Sequence, residues 1–381
     1  MPGTPCSCSE IFANPALQGH AGAVVQARQL GDELYVGVHS DEAILENKGP
    51  TVMTLQERLL AVDACRWVTK SIPFAPYVTQ LDWISHYGCK YVVHGDDITS
   101  DSSGEDCYRF VKAANRFKVV KRTPSISTTD LVGRMLLCTR GHFIKSLEKV
   151  LAGEEGHGTD AERKATGEAM KERIKLYATD ETAKNPGADV WFWSEKDRGA
   201  WAEREKNRAG FFKKLFDGKG PKPGQRVVYV DGGFDLFSSG HIEFLRLVTR
   251  AEEDLAKKDG WYSDQAVHER GGKGVDYGPV FVVAGVHNDE VINSWKGVNY
   301  PIMNIFERGL CVLQCRVSLV GLLCFGIGSH MSSTSMPLSL VRHSLPQSRT
   351  LPLFRGVHPM LFITAQRPSC PIQTMFILHL R

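Results

Sequence analysis

The chain has 381 residues, 42% of them hydrophobic and 23% charged, with a formal net charge of +3, the profile of a globular protein of two or three domains. So small a net charge gives no reason to expect nucleic acid or an anionic membrane surface as a partner. No apolar run approaches the ~20 residues of a membrane span and no basic-then-apolar leader opens the chain, so a cytoplasmic location is expected. The ten cysteines show no CxxC pair of pairs and read as idle thiols in a reducing compartment.

Residues 1–18 form an atypical N-terminus with no strand-and-glycine-turn signal. Residues 19–140 then alternate helix and strand: helix Ala21–Leu30 closed by Gly31, strand Leu34–Val38, helix Gln56–Val68, strand Tyr91–Val93, helix Asp106–Phe117 and strand Phe117–Val120. That alternation predicts an α/β domain with an open parallel sheet. Residues 141–225 are rich in Lys, Glu and Gly and read as a charged helical linker, with one aromatic knot, Val190-Trp191-Phe192-Trp193, that packs within the chain. A second α/β domain spans 226–316. It has strand Arg226–Val230, the turn Asp231-Gly232-Gly233-Phe234-Asp235, helix Ile242–Arg250 and strand Val280–Ala284. From 317 to 381 there is no Asp, Glu or Lys, which reads as an aberrant or disordered tail that leaves the second domain incomplete.

The two α/β segments repeat each other. Gly37-Val38-His39-Ser40-Asp41-Glu42 returns as Gly285-Val286-His287-Asn288-Asp289-Glu290, and Lys48-Gly49 returns as Lys296-Gly297, both at an offset of 248 residues. Met53, Glu57-Arg58 and Cys65-Arg66 return as Met303, Glu307-Arg308 and Cys315-Arg316 at an offset of 250. Gly19-His20 and Gly240-His241 precede each copy. A period so long means two copies of one domain rather than a solenoid. From histidine to the Gly-Val-His strand the spacing is 17 residues in copy one and 44 in copy two, so copy two carries a surface insertion of 27 residues.

Each Gly-His pair opens a helical run, where free N–H groups and the dipole favour an anion and glycine lets a phosphate approach. His20 and His241 can donate to a phosphoryl oxygen as charge builds there. Lys48 and Lys296, beside glycine on a loop, serve as point charges for a polyphosphate. Ser127 and Asp130 have capping-box spacing ahead of the apolar run Leu131–Leu137. With Thr128, Thr129 and the fork of Arg122 they make a second anion site. Gly95-Asp96-Asp97 ends a predicted strand, where open sheets place ligands. Its carboxylates are candidates for substrate or metal.

The order Gly-His, Lys-Gly, Gly-Asp-Asp, Arg122-Thr-Pro-Ser-Ile-Ser-Thr-Thr129 resembles the cytidylyltransferase family of the nucleotidyltransferase superfamily, with its H-x-G-H and R-T-x-G-I-S-T-T signatures. The duplication resembles that family's two-domain branch, which acts on phosphoethanolamine. The resemblance implies two tandem Rossmann-like domains with doubly wound parallel sheets, joined by the charged linker. It implies transfer of the cytidylyl group of CTP to phosphoethanolamine, giving CDP-ethanolamine and pyrophosphate for phosphatidylethanolamine synthesis, with Mg2+. A homodimer is one assembly it admits. By position His20, Lys48, Arg122, His241 and Lys296 take catalytic roles, and Gly19, Ser127, Thr128, Thr129, Gly233, Phe234 and Gly240 line the CTP phosphates. The first His of H-x-G-H falls on Leu17 and on Ser238, Ser125 replaces the signature glycine, and copy one lacks its first strand. Those departures keep a catalytically dead nucleotide-binding or regulatory pseudoenzyme as the alternative. A relative using another phospho-alcohol is the other.

Overall fold

The computed structural model describes residues 6–10, 17–96, 99–121, 128–194, 211–271, 277–297, 299–316, 320–327 and 378–380. Copy one builds a sheet of β1 (Cys6–Glu10), β2 (Glu33–Val38), β3 (Lys70–Pro73), β4 (Cys89–Gly95) and β5 (Phe117–Val120) in the order β3-β2-β1-β4-β5. Every pairing in it is parallel. Helices α1 (Leu17–Gln29) and α3 (Leu55–Asp63) cover one face, and α4 (Leu81–His86) and α5 (Arg109–Ala113) the other.

The repeat is punctuated alike in both copies. In copy one, Ser40 caps α2 (Asp41–Lys48) by accepting the Ala43 N–H at 3.1 Å. Its partner in copy two is α11 (Asp289–Lys296). The two helices end at Gly49 (φ 96°) and Gly297 (φ 99°), a left-handed region that glycine enters without a Cβ penalty. The next helix opens with a capping box each time: Thr54 with Glu57 on α3, and Asn304 with Glu307 on α12 (Ile305–Leu313).

The second sheet holds β6 (Asp189–Ser194), β7 (Phe211–Phe216), β8 (Arg226–Gly232), β9 (Val280–His287), β10 (Val320–Ile327) and β11 (Leu378–Leu380) in the order β11-β8-β9-β10-β6-β7. Strands β8, β9, β10 and β6 run parallel, and β7 and β11 pair antiparallel at the two edges. Thus β8, β9 and β10 stand in the order of β1, β2 and β3. Helix α9 (Ser239–Lys258) follows β8 as α1 follows β1, and α10 (Asp264–Gly271) lies in the insertion.

Four expectations are corrected. Copy one does not lack its first strand: Cys6–Glu10 is the central strand, paired with β2 and β4. Its Cys-Ser-Cys-Ser-Glu sequence hides it, because a central parallel strand normally reads as a continuous apolar run. Residues 317–381 are not wholly aberrant, since β10 lies between β9 and β6 with Leu323 and Phe325 fully buried. The 141–225 segment is more than a linker. It supplies α7 (Leu147–Ala152), α8 (Asp160–Tyr177) and two strands of the second sheet, with the aromatic knot packed within the chain as expected. Lastly, Cys65, Cys107, Cys138, Cys311 and Cys315 are reduced thiols outside any disulfide, but Cys89 is disulfide-bonded.

One hydrophobic core runs through both copies, from Val25 on α1 to Leu313 on α12, and a smaller cluster sits under α4 and α5. The copies are also stitched by polar contacts. Arg134 on α6 (Thr128–Leu137) donates to both oxygens of Glu307 at 2.8 and 3.0 Å. His142 Nε2 meets the Pro301 carbonyl at 2.8 Å, and the Ile144 N–H donates to Asp289 at 2.8 Å. No described helix is long and apolar enough to cross a membrane.

The fit of β10 gives a test of its place in the sheet. A Cβ on Gly309 of α12 would stand 1.9 Å from the Phe325 ring. Gly309→Ala should therefore cost about 1–3 kcal/mol, the usual scale of overpacking, read as a lower denaturant midpoint. An unchanged midpoint would mean β10 does not pack on α12.

Candidate active site

In a doubly wound sheet, ligands bind beyond the carboxyl ends of the strands where the strand order reverses. In copy one that place lies between β1 and its neighbours β2 and β4. His39 directly follows β2, His94 is the last residue but one of β4, and the first turn of α1 carries His20. Lys48 stands exposed at the end of α2.

These side chains feel one another. Burial, above all, lowers the His20 pKa to about 4, and the positive charges of His94 and Lys48 push the same way. Burial likewise lowers His39 to about 4, with Arg58, Lys48 and His94 reinforcing it against the Ala75 carbonyl. All four therefore belong to one cluster, and the imidazoles of His20 and His39 are neutral near pH 7. The two histidines are held differently. The buried His39 ring meets the Ala75 carbonyl through Nδ1 at 2.9 Å and leans on Tyr77. The Nδ1 of His20 is enclosed without a hydrogen-bond partner. A neutral imidazole beside a lysine can donate to one phosphoryl oxygen while the ammonium neutralises another.

Beneath the cluster lies Arg58, fully buried. It donates to the His39 carbonyl at 2.8 Å and to the Met53 carbonyl at 3.3 Å, and it pairs with Asp41. Burial works against the Asp41 carboxylate, but Arg58 and the Leu55 N–H hold it below its usual range. These bonds bracket residues 39–53, the stretch that carries Lys48.

Copy two repeats the plan with other outcomes. His241 Nδ1 accepts the Ser238 N–H at 3.2 Å, and its ring stacks on Phe237 at 5.4 Å with Phe234 alongside. Burial lowers His241 to about 4 and Lys296 adds to that, against Asp235, so this histidine and lysine also converge. Lys296 lies over the Tyr300 ring at 5.5 Å. Arg308, fully buried, reaches the carbonyls of Met303 (3.0 Å), His287 (2.6 Å) and Gly233 (2.5 Å), and Asp289 Oδ1 at 2.6 Å.

Four of the five residues expected to be catalytic are thus divided between two sheets: His20 with Lys48, and His241 with Lys296. Arg122, Ser127 and Asp97 lie outside the described residues. The backbones of Thr128 and Thr129 start α6, and Gly19 lies in the first turn of α1. Asp96 is exposed just past the end of β4. Gly233 and Phe234, expected to line the CTP phosphates, are engaged internally, the one by Arg308 and the other by the His241 ring. Gly240 sits in the first turn of α9. Sequence reasoning missed His39, His94, Arg58 and Arg308 as parts of the site. The repeat held the signal for three of these: His39 recurs as His287, and Arg58 as Arg308. His94 carried none.

The lowered histidine pKa values fix the sign of an acid response. Unfolded histidine titrates near 6.5 and these three near 4, so the unfolded chain binds more protons between those values. Stability is full above about pH 6.5 and falls as the pH drops towards 4. Between pH 7 and 5 each such histidine is worth about 1–2 kcal/mol. Denaturation curves at the two pH values should show this loss, and His39→Gln should reduce it. A loss unchanged by that substitution would refute the assignment.

The sequence of residues 13–134 matches the Cytidylyltransferase-like family. The chain is 37% identical to the ethanolamine-phosphate cytidylyltransferase of Mus musculus over 305 residues, covering 78% of this chain and 65% of the relative. It is 35% identical to that of Dictyostelium discoideum over 298 residues, covering 78% and 67%. Similarity to choline-phosphate cytidylyltransferase A of Rattus norvegicus is 35% over 141 residues, or 35% of this chain and 38% of the relative. The chain spans just under two thirds of the mouse relative's length. On likeness that runs through both copies, the chain belongs to the ethanolamine-phosphate cytidylyltransferase family.

Proposed function

We propose that copy one transfers the cytidylyl group of CTP to phosphoethanolamine. A phosphate oxygen of phosphoethanolamine attacks the α-phosphorus of CTP in line, the bond to the bridging oxygen breaks, and pyrophosphate leaves. Such a transfer asks for positioning and charge stabilisation rather than a covalent nucleophile. The observation that supports it best is the His20–Lys48–His94 cluster at the switch point of a parallel sheet. His20, neutral and with Nδ1 uncommitted, donates to a phosphoryl oxygen, and Lys48 draws the triphosphate. Arg122, Ser127, Thr128 and Thr129 complete the anion site in this reading.

Mg2+ fits as a companion of CTP. It keeps water and substrate phosphates as ligands and needs only one or two protein carboxylates. Asp96 offers one at the end of β4, and the described residues hold no cluster of three or more His, Cys, Asp or Glu arranged for a metal. The metal would supply charge neutralisation on the departing pyrophosphate. Phosphoethanolamine is favoured as acceptor because the likeness to its transferases covers 78% of the chain, against 35% for the choline relative.

Leu17, where the signature has its first histidine, supports a second reading in which copy one binds CTP without turnover. One assay separates them. The purified chain with CTP, Mg2+ and radiolabelled phosphoethanolamine should form CDP-ethanolamine, with phosphocholine a poor acceptor. His20→Ala should cut the rate about 10²–10³-fold, the scale of one preorganised donor. Lys48→Ala should weaken CTP binding by about 2 kcal/mol. Calorimetric CTP binding with no product would establish the binding-only reading instead. Sedimentation of the same sample reads whether the chain is a homodimer.

A further inference from the structure

Cys65 and Cys315 are equivalent residues of the two copies, 250 positions apart. Each lies just past a helix end, α3 in one copy and α12 in the other. They face each other across an antiparallel bridge between the copies. Two backbone bonds flank the pair: the Arg66 N–H donates to the Gln314 carbonyl at 2.8 Å, and the Arg316 N–H to the Ala64 carbonyl at 2.6 Å. With the bonds on the flanking residues, the cysteines themselves form a non-hydrogen-bonded pair. In such pairs the Cα atoms stand about 4.5 Å apart and both side chains leave the same face. That separation falls within the roughly 4.4–6.8 Å that disulfides span. Neither sulfur is in a disulfide, and both are buried, at 7% and 1% exposure.

We propose that Cys65 and Cys315 are a paired oxidation site, closing a reversible disulfide between the two copies when the protein meets a peroxide. One thiolate attacks a peroxide oxygen, the O–O bond breaks, and a water leaves with a sulfenic acid on that cysteine. The second sulfur attacks the sulfenic sulfur, the S–O bond breaks, the S–S bond forms, and a second water leaves. Two thiols are oxidised and one peroxide is reduced to two waters. A dithiol reverses the step by exchange. Burial, chiefly, pushes the Cys65 thiol up to about 11, and Cys315 adds to this against the Trp67 N–H, Arg66 and Arg316. The pair therefore reacts slowly and is not a catalytic nucleophile. Its use is to join the two copies covalently at the point where their backbones already meet.

Cys311, buried one helical turn before Cys315, is the nearest rival, since it shares the surroundings of Tyr177 with Cys65. The test uses the full chain, reduced, desalted, treated with hydrogen peroxide, alkylated and digested without reductant. A peptide pair linking Cys65 to Cys315, two hydrogens lighter than the sum, is expected, and dithiothreitol should abolish it. The oxidised chain should melt a few degrees higher than the reduced one. Cys65→Ser and Cys315→Ser should each erase the link and cut the oxidant-dependent shift to what the disulfide of Cys89 alone supplies. A link from Cys65 to Cys311 would overturn the proposal. So would sulfinic acid at Cys65 with no cross-link, or unreacted Cys65 and Cys315 after saturating peroxide.

Discussion

Everything at the ends of the parallel strands hangs on a buried arginine, used once in each copy. Arg58 and Arg308 are both fully shielded from water. A guanidinium in that position must have its donors satisfied, and removing a partner from a buried pair typically costs about 3–5 kcal/mol. Each arginine satisfies its donors with the carbonyl that ends the second strand, the carbonyl of the methionine ahead of the next helix, and the aspartate that opens the intervening helix. Between these anchors runs the loop with Lys48 in one copy and Lys296 in the other. The lysine's place is thus set by an ion pair it does not touch, and the recurrence of Asp, Met and Arg beside Lys-Gly has a physical reason.

The same hub has diverged in use. The Asp41 side chain is 40% exposed, and Arg58 leaves its loop open with Lys48 in solvent. Asp289 is wholly buried, and burial pushes its pKa up against the pull of Arg308 and the Ile144 N–H. That N–H arrives from the segment after copy one, which also brings His142 onto Pro301, while Arg134 at the end of copy one holds Glu307. In copy two, Gly233 and Phe234 are drawn inward by Arg308 and His241, and Lys296 rests on Tyr300. Copy two has turned its strand-end groups towards holding the chain together, whereas copy one keeps an uncommitted imidazole nitrogen and an exposed lysine.

This division was partly legible in the residues. The repeat announced two α/β units, and apolar strands such as β8 and β9 announced themselves. Strand β1 did not, because Cys-Ser-Cys-Ser-Glu lacks the branched apolar residues of a central strand. Strand β10 was hidden by the opposite effect. Its run from Val320 to Ile327 reads as an ordinary apolar strand, but it sits in a stretch without acids whose composition spoke louder than its local pattern. Strands β6 and β7 join their sheet from before β8 in sequence, a pairing between distant segments that no local signal encodes. At the site, Gly-His and Lys-Gly were readable because glycine beside a charged or polar group has few structural uses. The histidines at strand ends were not, because a lone histidine after an apolar run is most often a packed one.

His39 is in fact both packed and electrostatically engaged. Its ring lies against Tyr77 and its Nδ1 is spent on Ala75, so it cannot leave to serve as an acid. Yet it sits close enough to Lys48 and His94 to feel their charge. Burial keeps this imidazole and that of His20 neutral, and neutrality lets them stand beside a lysine without repulsion. Had either been charged, the cluster would hold its positive charges together at a cost in stability before any ligand arrived. With the imidazoles neutral, the lysine supplies long-range attraction for a polyphosphate and the uncommitted His20 supplies a short, directed hydrogen bond. The low pKa values are therefore less a sign of acid–base chemistry than the means by which a dense anion site coexists with a folded domain.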